Sequence, residues 1–130
     1  MHSEHICLLY TSSGGAISAS SSTINGGTVT LAGGSLKNST ISGATVTVAG
    51  SGNLQLSDGS IVSGTLNNSA AMEIVGDSYT NALGGTVTNA ASGVIKIDDH
   101  AYLTLQAGTY TNAGTISMNS ACLLYTSRCV

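Results

Sequence analysis

The sequence predicts an all-β chain folded as a parallel β-helix, a β-solenoid of about five coils. Three observations predict this fold: a composition dominated by small polar residues, a sequence repeat of about 20 residues, and short segments in which apolar and polar residues alternate. Each repeat contains two or three such segments, so one repeat supplies the strands of one coil. About 105 residues carry the repeat, which gives roughly five coils that each bury their apolar face against the next.

The composition excludes several other classes of protein. Gly, Ser, Thr and Asn make up 62 of the 130 residues, whereas Pro, Phe and Trp are absent. The lack of Pro and of a glycine period excludes a collagen-like chain, and the scarcity of Leu, Glu, Lys and Arg excludes a coiled coil. A hydrophobic content of 42% with a net charge of −3 fits disorder poorly. Lys and Arg number only 3, so no nucleic-acid partner is expected, and no apolar run is long enough to span a membrane.

Two families of internal repeat set the expected register of the coils. Residues 22–33 and 39–50 are identical at nine of twelve positions, at a spacing of 17. A second family, Gly-Thr followed by an apolar residue and ending in Asn, begins at Gly64, Gly85 and Gly108, at spacings of 21 and 23. We expect equivalent positions of these repeats to stack on one another in successive coils.

Short apolar-polar-apolar triplets define the strands and the predicted core. The triplets at 54–56, 72–74, 95–97 and 116–118 have the two-residue period of a half-buried strand, and Gly, Ser, Asn and Asp between them supply turns. The glycine pairs at 26–27, 33–34 and 84–85 are interpreted as coil corners. The predicted inward positions are Ile24, Val29, Leu31, Ile41, Val46, Val48, Leu54, Leu56, Ile74, Val87, Ile95, Ile97, Leu103, Leu105 and Ile116.

Three asparagines occupy matching points of successive repeats. Asn68, Asn89 and Asn112 either form a hydrogen-bonded ladder of stacked amides or serve as turn residues, and the sequence leaves both interpretations open. The spacing between repeats varies from 17 to 23 residues, so loops of different length are expected on one side. Such loops are the expected place for specific contacts.

The two ends of the chain differ from the middle. The hexapeptide of residues 7–12 recurs unchanged as residues 122–127, which is compatible with a terminal repeat or with a Cys7–Cys122 bridge. The hexapeptide also resembles the translation of a transposase mosaic-end adapter, and the continuation of that adapter gives Arg-Cys-Val and a stop codon, as at residues 128–130. We therefore predict an adapter-derived or otherwise non-native flank over 1–12, a β-helix repeat region over 13–120 and an adapter-derived tail over 121–130.

This division places all three cysteines in the flanks, outside the predicted β-helix region. Residues 13–121 contain no Cys, so the cysteines do not indicate a redox compartment. His2, His5 and Cys7 resemble a set of metal ligands, but they lie in the flank and are not predicted to be a site. We expect no metal and no other cofactor.

The repeat region has few residues that could perform catalysis. Its acidic and basic side chains are Lys37, Asp58, Glu73, Asp77, Lys96, Asp98, Asp99 and His100. The only dense group is Asp98-Asp99-His100, in the turn after Ile97, where two carboxylates and an imidazole could bind a cation or transfer a proton. Neighbouring side chains in one turn usually diverge and are solvated, and the calcium nonapeptide, nucleophile-elbow and phosphate-loop motifs are absent. No catalytic residue is predicted, and a glycan-acting β-helix enzyme is kept as an alternative.

Threonine pairs provide a third alternative. Thr-x-Thr triplets occur at 28–30, 45–47, 86–88 and 109–111, and with the central residue inward both threonines would point outward. This pattern resembles ice-binding β-solenoids. Spacings of 17, 41 and 23 between the triplets predict an array too irregular for one flat surface.

Residues 85–91 and 108–116 carry a resemblance to a known family. Their Gly-Thr-x-Thr-Asn-Ala phrases resemble the passenger domains of bacterial autotransporters and haemagglutinin-like adhesins, and the resemblance extends over residues 13–120. It implies a right-handed β-helix that serves as a structural or adhesive stalk on the bacterial cell surface. Since no catalytic residue is predicted, we expect no enzymatic activity. The implied partners are a host-cell surface, glycans or like molecules. It also implies a longer parent with a signal peptide and a membrane anchor, so we expect this chain to be a fragment.

Overall fold

The computed structural model describes residues 4–6, 15–76, 79–119 and 122–125. These residues form thirteen strands and include no helix. The strands are β1 (Glu4–Ile6), β2 (Gly15–Ser20), β3 (Ser22–Asn25), β4 (Thr28–Lys37), β5 (Thr40–Val48), β6 (Asn53–Ser57), β7 (Ile61–Asn68), β8 (Ala71–Ile74), β9 (Thr80–Asn89), β10 (Val94–Ile97), β11 (Tyr102–Asn112), β12 (Thr115–Met118) and β13 (Cys122–Tyr125).

The strands pair in parallel and stack in three faces around one axis. The long strands bend at glycines, so each of β4, β5, β7, β9 and β11 contributes its two halves to two different faces. Face A contains β3 and the first halves of β5, β7, β9 and β11. Face B contains the segments 28–31, 45–48, 65–68, 86–89 and 109–112. Face C contains β2, the segment 34–37, β6, β8, β10 and β12.

The chain visits faces A, B and C in order five times between β3 and β12. This topology is a parallel β-solenoid of about five turns, as the sequence predicts. Neighbouring coils lie about 4.8 Å apart, the spacing of hydrogen-bonded strands. The handedness stays a prediction, although parallel crossover connections are right-handed in about 98% of cases.

The register of the strands confirms both repeat families. Thr28 pairs with Thr45 and Val29 with Val46, so the repeat at a spacing of 17 stacks in adjacent coils. The Gly-Thr repeat aligns in the same way, because Gly64 pairs with Gly85, which pairs with Gly108. The four triplets stack in face C, each with its apolar residues above those of the triplet before.

The core is a narrow column of aliphatic side chains inside the three faces. All of the predicted inward residues are buried except Leu105, which is half-buried, and Ile116, which is 49% exposed. Ile116 is inward, as predicted, because it pairs with the buried Ile95, but it is not buried, since β12 is the last strand of face C among the described residues. The core also includes residues that the predicted set omits, of which the largest are Leu36, Val62, Leu66, Met72 and Leu83.

A stack of glycines forms the corner between faces A and B. A Cβ on Gly85 would collide with the carbonyl oxygen of Gly64, and one on Gly108 would collide with that of Gly85. Gly64 and Gly85 also have positive φ angles of 143° and 78°. This corner therefore requires glycine for space as well as for backbone conformation.

A stack of buried polar residues lies where face C turns into face A. The amide of Ser39 donates to Oγ of Ser60 at 3.2 Å, and the amide of Ser60 donates to Oδ1 of Asn81 at 2.9 Å. All three residues are buried. Nδ2 of Asn81 has no hydrogen-bond partner among the described residues, because the paired position in the next coil is Leu103.

The described parts of both flanks extend the solenoid as strands. Residues Glu4–Ile6 pair with β3, and residues Cys122–Tyr125 pair with β11, in both cases in parallel. The division at 1–12, 13–120 and 121–130 and the adapter origin of the ends stay predictions. His2, His5 and Cys7, which are not predicted to be a site, lie outside the side chains that the structure describes.

Candidate binding surfaces

Face B carries two continuous ranks of outward side chains, which we call the threonine face. They alternate along each strand with inward residues such as Val46 and Leu66, so the pleat directs them away from the core. One rank consists of Thr28, Thr45, Thr65, Thr86 and Thr109, and the other of Thr30, Thr47, Asn67, Thr88 and Thr111. Each of these side chains is exposed or half-buried.

The threonine face corrects the expectation of an irregular array. The interval of 41 residues between Thr45 and Thr86 contains a further pair, Thr65 and Asn67, which the Thr-x-Thr pattern misses. The intervals still differ, but the pairing within face B is continuous, because the extra residues are accommodated outside it. The ranks are therefore aligned, with neighbours about 4.8 Å apart between strands and about 6.6 Å apart along a strand.

The chemistry of the threonine face is uniform. The segments of face B contain no Asp, Glu, Lys, Arg or His. Each threonine presents one hydroxyl, which can donate and accept a hydrogen bond, beside one methyl group. The face can therefore make many similar weak contacts, but it offers no acid, base or nucleophile of altered reactivity.

Face C carries the main charged network, which is centred on Glu73. Its Oε2 accepts hydrogen bonds from Nε2 of Gln55 at 2.6 Å and Nδ2 of Asn53 at 3.2 Å, and its Oε1 lies 3.0 Å from Nζ of Lys96. Lys96 also contacts Oδ1 of Asp98 at 2.7 Å. These side chains stack because Gln55, Glu73 and Lys96 are paired positions of β6, β8 and β10.

The contacts in this network shift the pKa values of Glu73 and Lys96. The hydrogen bond from Gln55, followed by that from Lys96, lowers the pKa of the Glu73 carboxyl from its usual value. The hydrogen bond to Asp98, followed by that to Glu73, raises the pKa of the Lys96 ammonium. Both groups are therefore held in their charged forms near neutral pH, which suits an ion pair and does not suit proton transfer.

The structure separates the residues of the Asp98-Asp99-His100 group. Asp98 turns toward Lys96 on face C, whereas Asp99 and His100 lie at the following corner with side chains 52% and 87% exposed. Oδ2 of Asp99 lies 3.4 Å from Nε2 of His100, and His100 has a left-handed φ of 59°. Asp98 therefore diverges from the other two residues of this turn, whereas Asp99 and His100 remain in contact.

The remaining ionisable residues are dispersed over the solenoid. Lys37 pairs with Asp58 at 3.2 Å, on the same edge of the solenoid as Asp98 but in earlier coils. Asp77 lies outside the described residues. Within the described ranges, no three His, Cys, Asp or Glu side chains come close enough to hold a metal ion.

The asparagine ladder is confirmed, and it also holds a turn. Nδ2 of Asn68 donates to Oδ1 of Asn89 at 2.8 Å, and Nδ2 of Asn89 donates to Oδ1 of Asn112 at 2.8 Å. Nδ2 of Asn89 also contacts the carbonyl oxygens of Gly93 at 3.2 Å and Thr115 at 3.3 Å. Both sequence interpretations therefore describe the same residues, and their role is structural because Asn68 and Asn89 are 1% exposed.

Comparisons of the chain with protein-family models, with curated proteins and with solved structures give no match. Over the residues that the structure describes, no helix has the length and hydropathy needed to cross a membrane.

Proposed function

We propose that this chain is a structural and adhesive stalk segment of a secreted or surface-displayed bacterial protein of the autotransporter adhesin type. The observation that carries the proposal is the threonine face, an uncharged array of hydroxyl groups that is continuous through five coils. Four intervals of about 4.8 Å give it a length of roughly 19 Å. The stacked coils beneath the face supply a stiff support, since each coil is bonded to its neighbours along every described strand.

The proposed mechanism of adhesion is the sum of many weak contacts. A single hydroxyl contributes little, because it exchanges one hydrogen bond with water for another. On the threonine face the backbone of every strand is already held by hydrogen bonds to the neighbouring strands. Binding of a partner therefore requires little additional ordering of the chain. The partners of this proposal are polar surfaces outside the cell, such as a host-cell surface, a glycan layer or a like molecule.

The proposed function is not catalytic. Asp98 is engaged by Lys96, and Asp99 lies with His100 at an exposed corner, so these groups do not converge on a common reacting atom. The alternative of a glycan-acting enzyme predicts cleavage of a polysaccharide panel that falls in D98N or D99N. We expect no cleavage above that of a blank, and reproducible cleavage that D98N or D99N abolishes would contradict this expectation.

Cell attachment tests the adhesive proposal. The full chain is displayed on beads, and bound bacterial and animal cells are counted for the parent chain and for T47K/T88K, which places two charged side chains in the centre of the threonine face. Thr104 is an outward, half-buried residue of face A, so T104K is the matched control. We expect attachment to fall in T47K/T88K and to persist in T104K. Equal attachment of all three chains would contradict a role for the threonine face.

The aligned ranks also favour a second candidate function, ice binding. Two parallel rows of threonines, interrupted only by Asn67, on a continuous parallel sheet resemble the surface of ice-binding β-solenoids more closely than the sequence spacing predicts. An ice-recrystallisation assay with the same three chains tests this candidate. Inhibition that disappears in T47K/T88K would support it, and absence of inhibition by the parent chain would count against it.

A further inference from the structure

A groove with a volume of about 380 Å³ lies outside the threonine face, where face C turns into face A. Its lining includes Ser21, Lys37, Asn38, Asp58 and Tyr79, which come from the corners of successive coils. These residues are 17 to 21 positions apart along the chain, so the groove exists only when the coils are stacked. Its volume lies within the range of small-molecule binding sites.

The floor of the groove is held by the backbone. Ser21, Asn38 and Asp58 all have left-handed φ angles, of 51°, 47° and 53°. The amide of Ser21 donates to the carbonyl oxygen of Lys37 at 3.0 Å, and the amide of Asn38 donates to that of Ser57 at 3.1 Å. The three corners therefore repeat one conformation in adjacent coils and present their side chains to the same side.

The polar side chains of the groove are already oriented by one another. Nζ of Lys37 lies 3.2 Å from Oδ2 of Asp58, and Nδ2 of Asn38 lies 3.4 Å from Oγ of Ser21. The Lys37 side chain is 63% exposed and that of Asp58 is 27% exposed, so both remain accessible from the groove. Together they offer ammonium, carboxylate, amide and hydroxyl groups whose formal charges cancel.

Tyr79 adds an aromatic group to this polar set. It is 61% exposed, the most exposed of the large hydrophobic residues in the part of the chain that the structure describes. It lies beside Gly59, because a Cβ on that glycine would be 3.8 Å from Cβ of Tyr79. An aromatic ring provides an apolar face with a polar edge, and here it shares a groove with four kinds of hydrogen-bonding group.

We propose that this groove binds a neutral saccharide. A sugar ring has an apolar face of C–H groups, which can stack on the ring of Tyr79, and a rim of hydroxyls, which can bond to Asp58, Asn38 and Lys37. The ion pair has no net charge, so the groove has no excess charge to attract a uronic acid or a sulfated sugar. This inference rests on the proposed function as a binding segment, and it names the ligand class for a site separate from the threonine face.

The test is a titration of the full chain with a panel of soluble sugars. Glucose, galactose, mannose, N-acetylglucosamine and their β-linked disaccharides are the neutral probes, and glucuronic acid is the charged comparison, with binding followed by isothermal calorimetry. We expect saturable binding of at least one neutral sugar that is tighter than binding of glucuronic acid. Absence of saturable binding by a chain with an intact β-sheet circular dichroism spectrum would overturn the proposal, as would a preference for glucuronic acid.

Variants locate the site. Y79A should weaken binding roughly tenfold by removing the stacking surface, whereas Y79F should stay within about threefold because it retains the ring. H100A is the control, since His100 is an exposed residue with left-handed φ on the same edge of the solenoid, in the last coil, and does not line the groove. Equal affinity of Y79A and the parent chain would overturn the assignment to this groove.

The two proposals can fail separately. If sugar binding is absent while cells still attach through the threonine face, only the saccharide groove is overturned. If sugars bind and Y79A removes that binding, the groove stands even where T47K/T88K leaves cell attachment unchanged.

Discussion

Asn89 donates a hydrogen bond from Nδ2 to Oδ1 of Asn112 at 2.8 Å and accepts one of the same length from Asn68. The three amides form a ladder that runs along the solenoid axis through three coils. The central amide also reaches the carbonyl oxygens of Gly93 and Thr115, so it satisfies backbone groups of the turns in two coils. A buried polar group with this many partners stabilises the native register as well as the fold.

Replacement of Asn89 should be strongly destabilising. N89A leaves the buried carbonyl of Gly93 and the amide of Asn68 without one of their partners, and we expect the free energy of unfolding to fall by about 3 kcal/mol. Urea denaturation followed by circular dichroism measures the change. N67A, which removes an outward amide from the neighbouring position, should change stability by no more than about 0.5 kcal/mol. Equal effects of the two substitutions would show that the ladder contributes little.

The glycine corner can be tested by two substitutions with the same backbone conformation. Gly85 and Gly26 have φ angles of 78° and 70°, but a Cβ on Gly85 would collide with the carbonyl of Gly64, whereas nothing lies within 4 Å of a Cβ on Gly26. We expect G26A to cost about 1 kcal/mol, which is the price of the left-handed conformation. G85A should cost about 3 kcal/mol or more, because the coils must also separate. Similar urea midpoints for the two variants would contradict the close packing of this corner.

Acid should weaken the network on face C. Because the pKa of Glu73 is lowered in the folded state, its contribution to stability is present above the unfolded value of 4.5 and is lost as the pH falls through the folded value. Between pH 7 and pH 3, the urea midpoint of E73Q should therefore fall less than that of the parent chain. Q55A, which removes the hydrogen bond that lowers this pKa most, should show an intermediate slope. Parallel pH profiles for E73Q and the parent chain would contradict this account.

The last strand of face C should promote self-association. Ile116 and Met118 on β12 are 49% and 56% exposed, and an apolar cavity of about 120 Å³ lies beside Ile116. Unpaired strand edges with apolar residues associate, and lysine on an edge opposes this. We expect sedimentation velocity to show concentration-dependent assembly that I116K reduces more than S117K, which adds the same charge on the outward side of β12. A chain that remains monomeric at all concentrations would contradict this prediction.

The sequence predicts the coil architecture well for two reasons. The strands show a two-residue alternation of apolar and polar residues, and the coils repeat along the chain. Val29, Val46 and Val87 alternate with threonines in segments that also match one another, so periodicity and repeat give the same register. The exception, Ile116, has the correct pattern and the wrong exposure, because burial depends on whether another strand covers it. A local pattern carries no information on that point.

Features at the corners are harder to predict. Ser39, Ser60 and Asn81 look like ordinary turn residues, and only their common spacing of 21 indicates a buried stack. The groove beside Tyr79 has no signal within any one repeat, since its lining is assembled from corners of several coils. Residues that act together across coils are visible in the sequence only when the register is already known.

The unequal coil lengths have a consequence for how such a chain can diversify. Successive threonines on face B are separated by 17, 20, 21 and 23 residues, yet they remain paired. Each coil thus keeps the same paired strands, whereas the corner segments that join them differ in length. Insertions confined to a corner can alter what the outside of the protein displays without changing the aliphatic column inside it, which makes the corners of this fold suitable places to graft a foreign epitope.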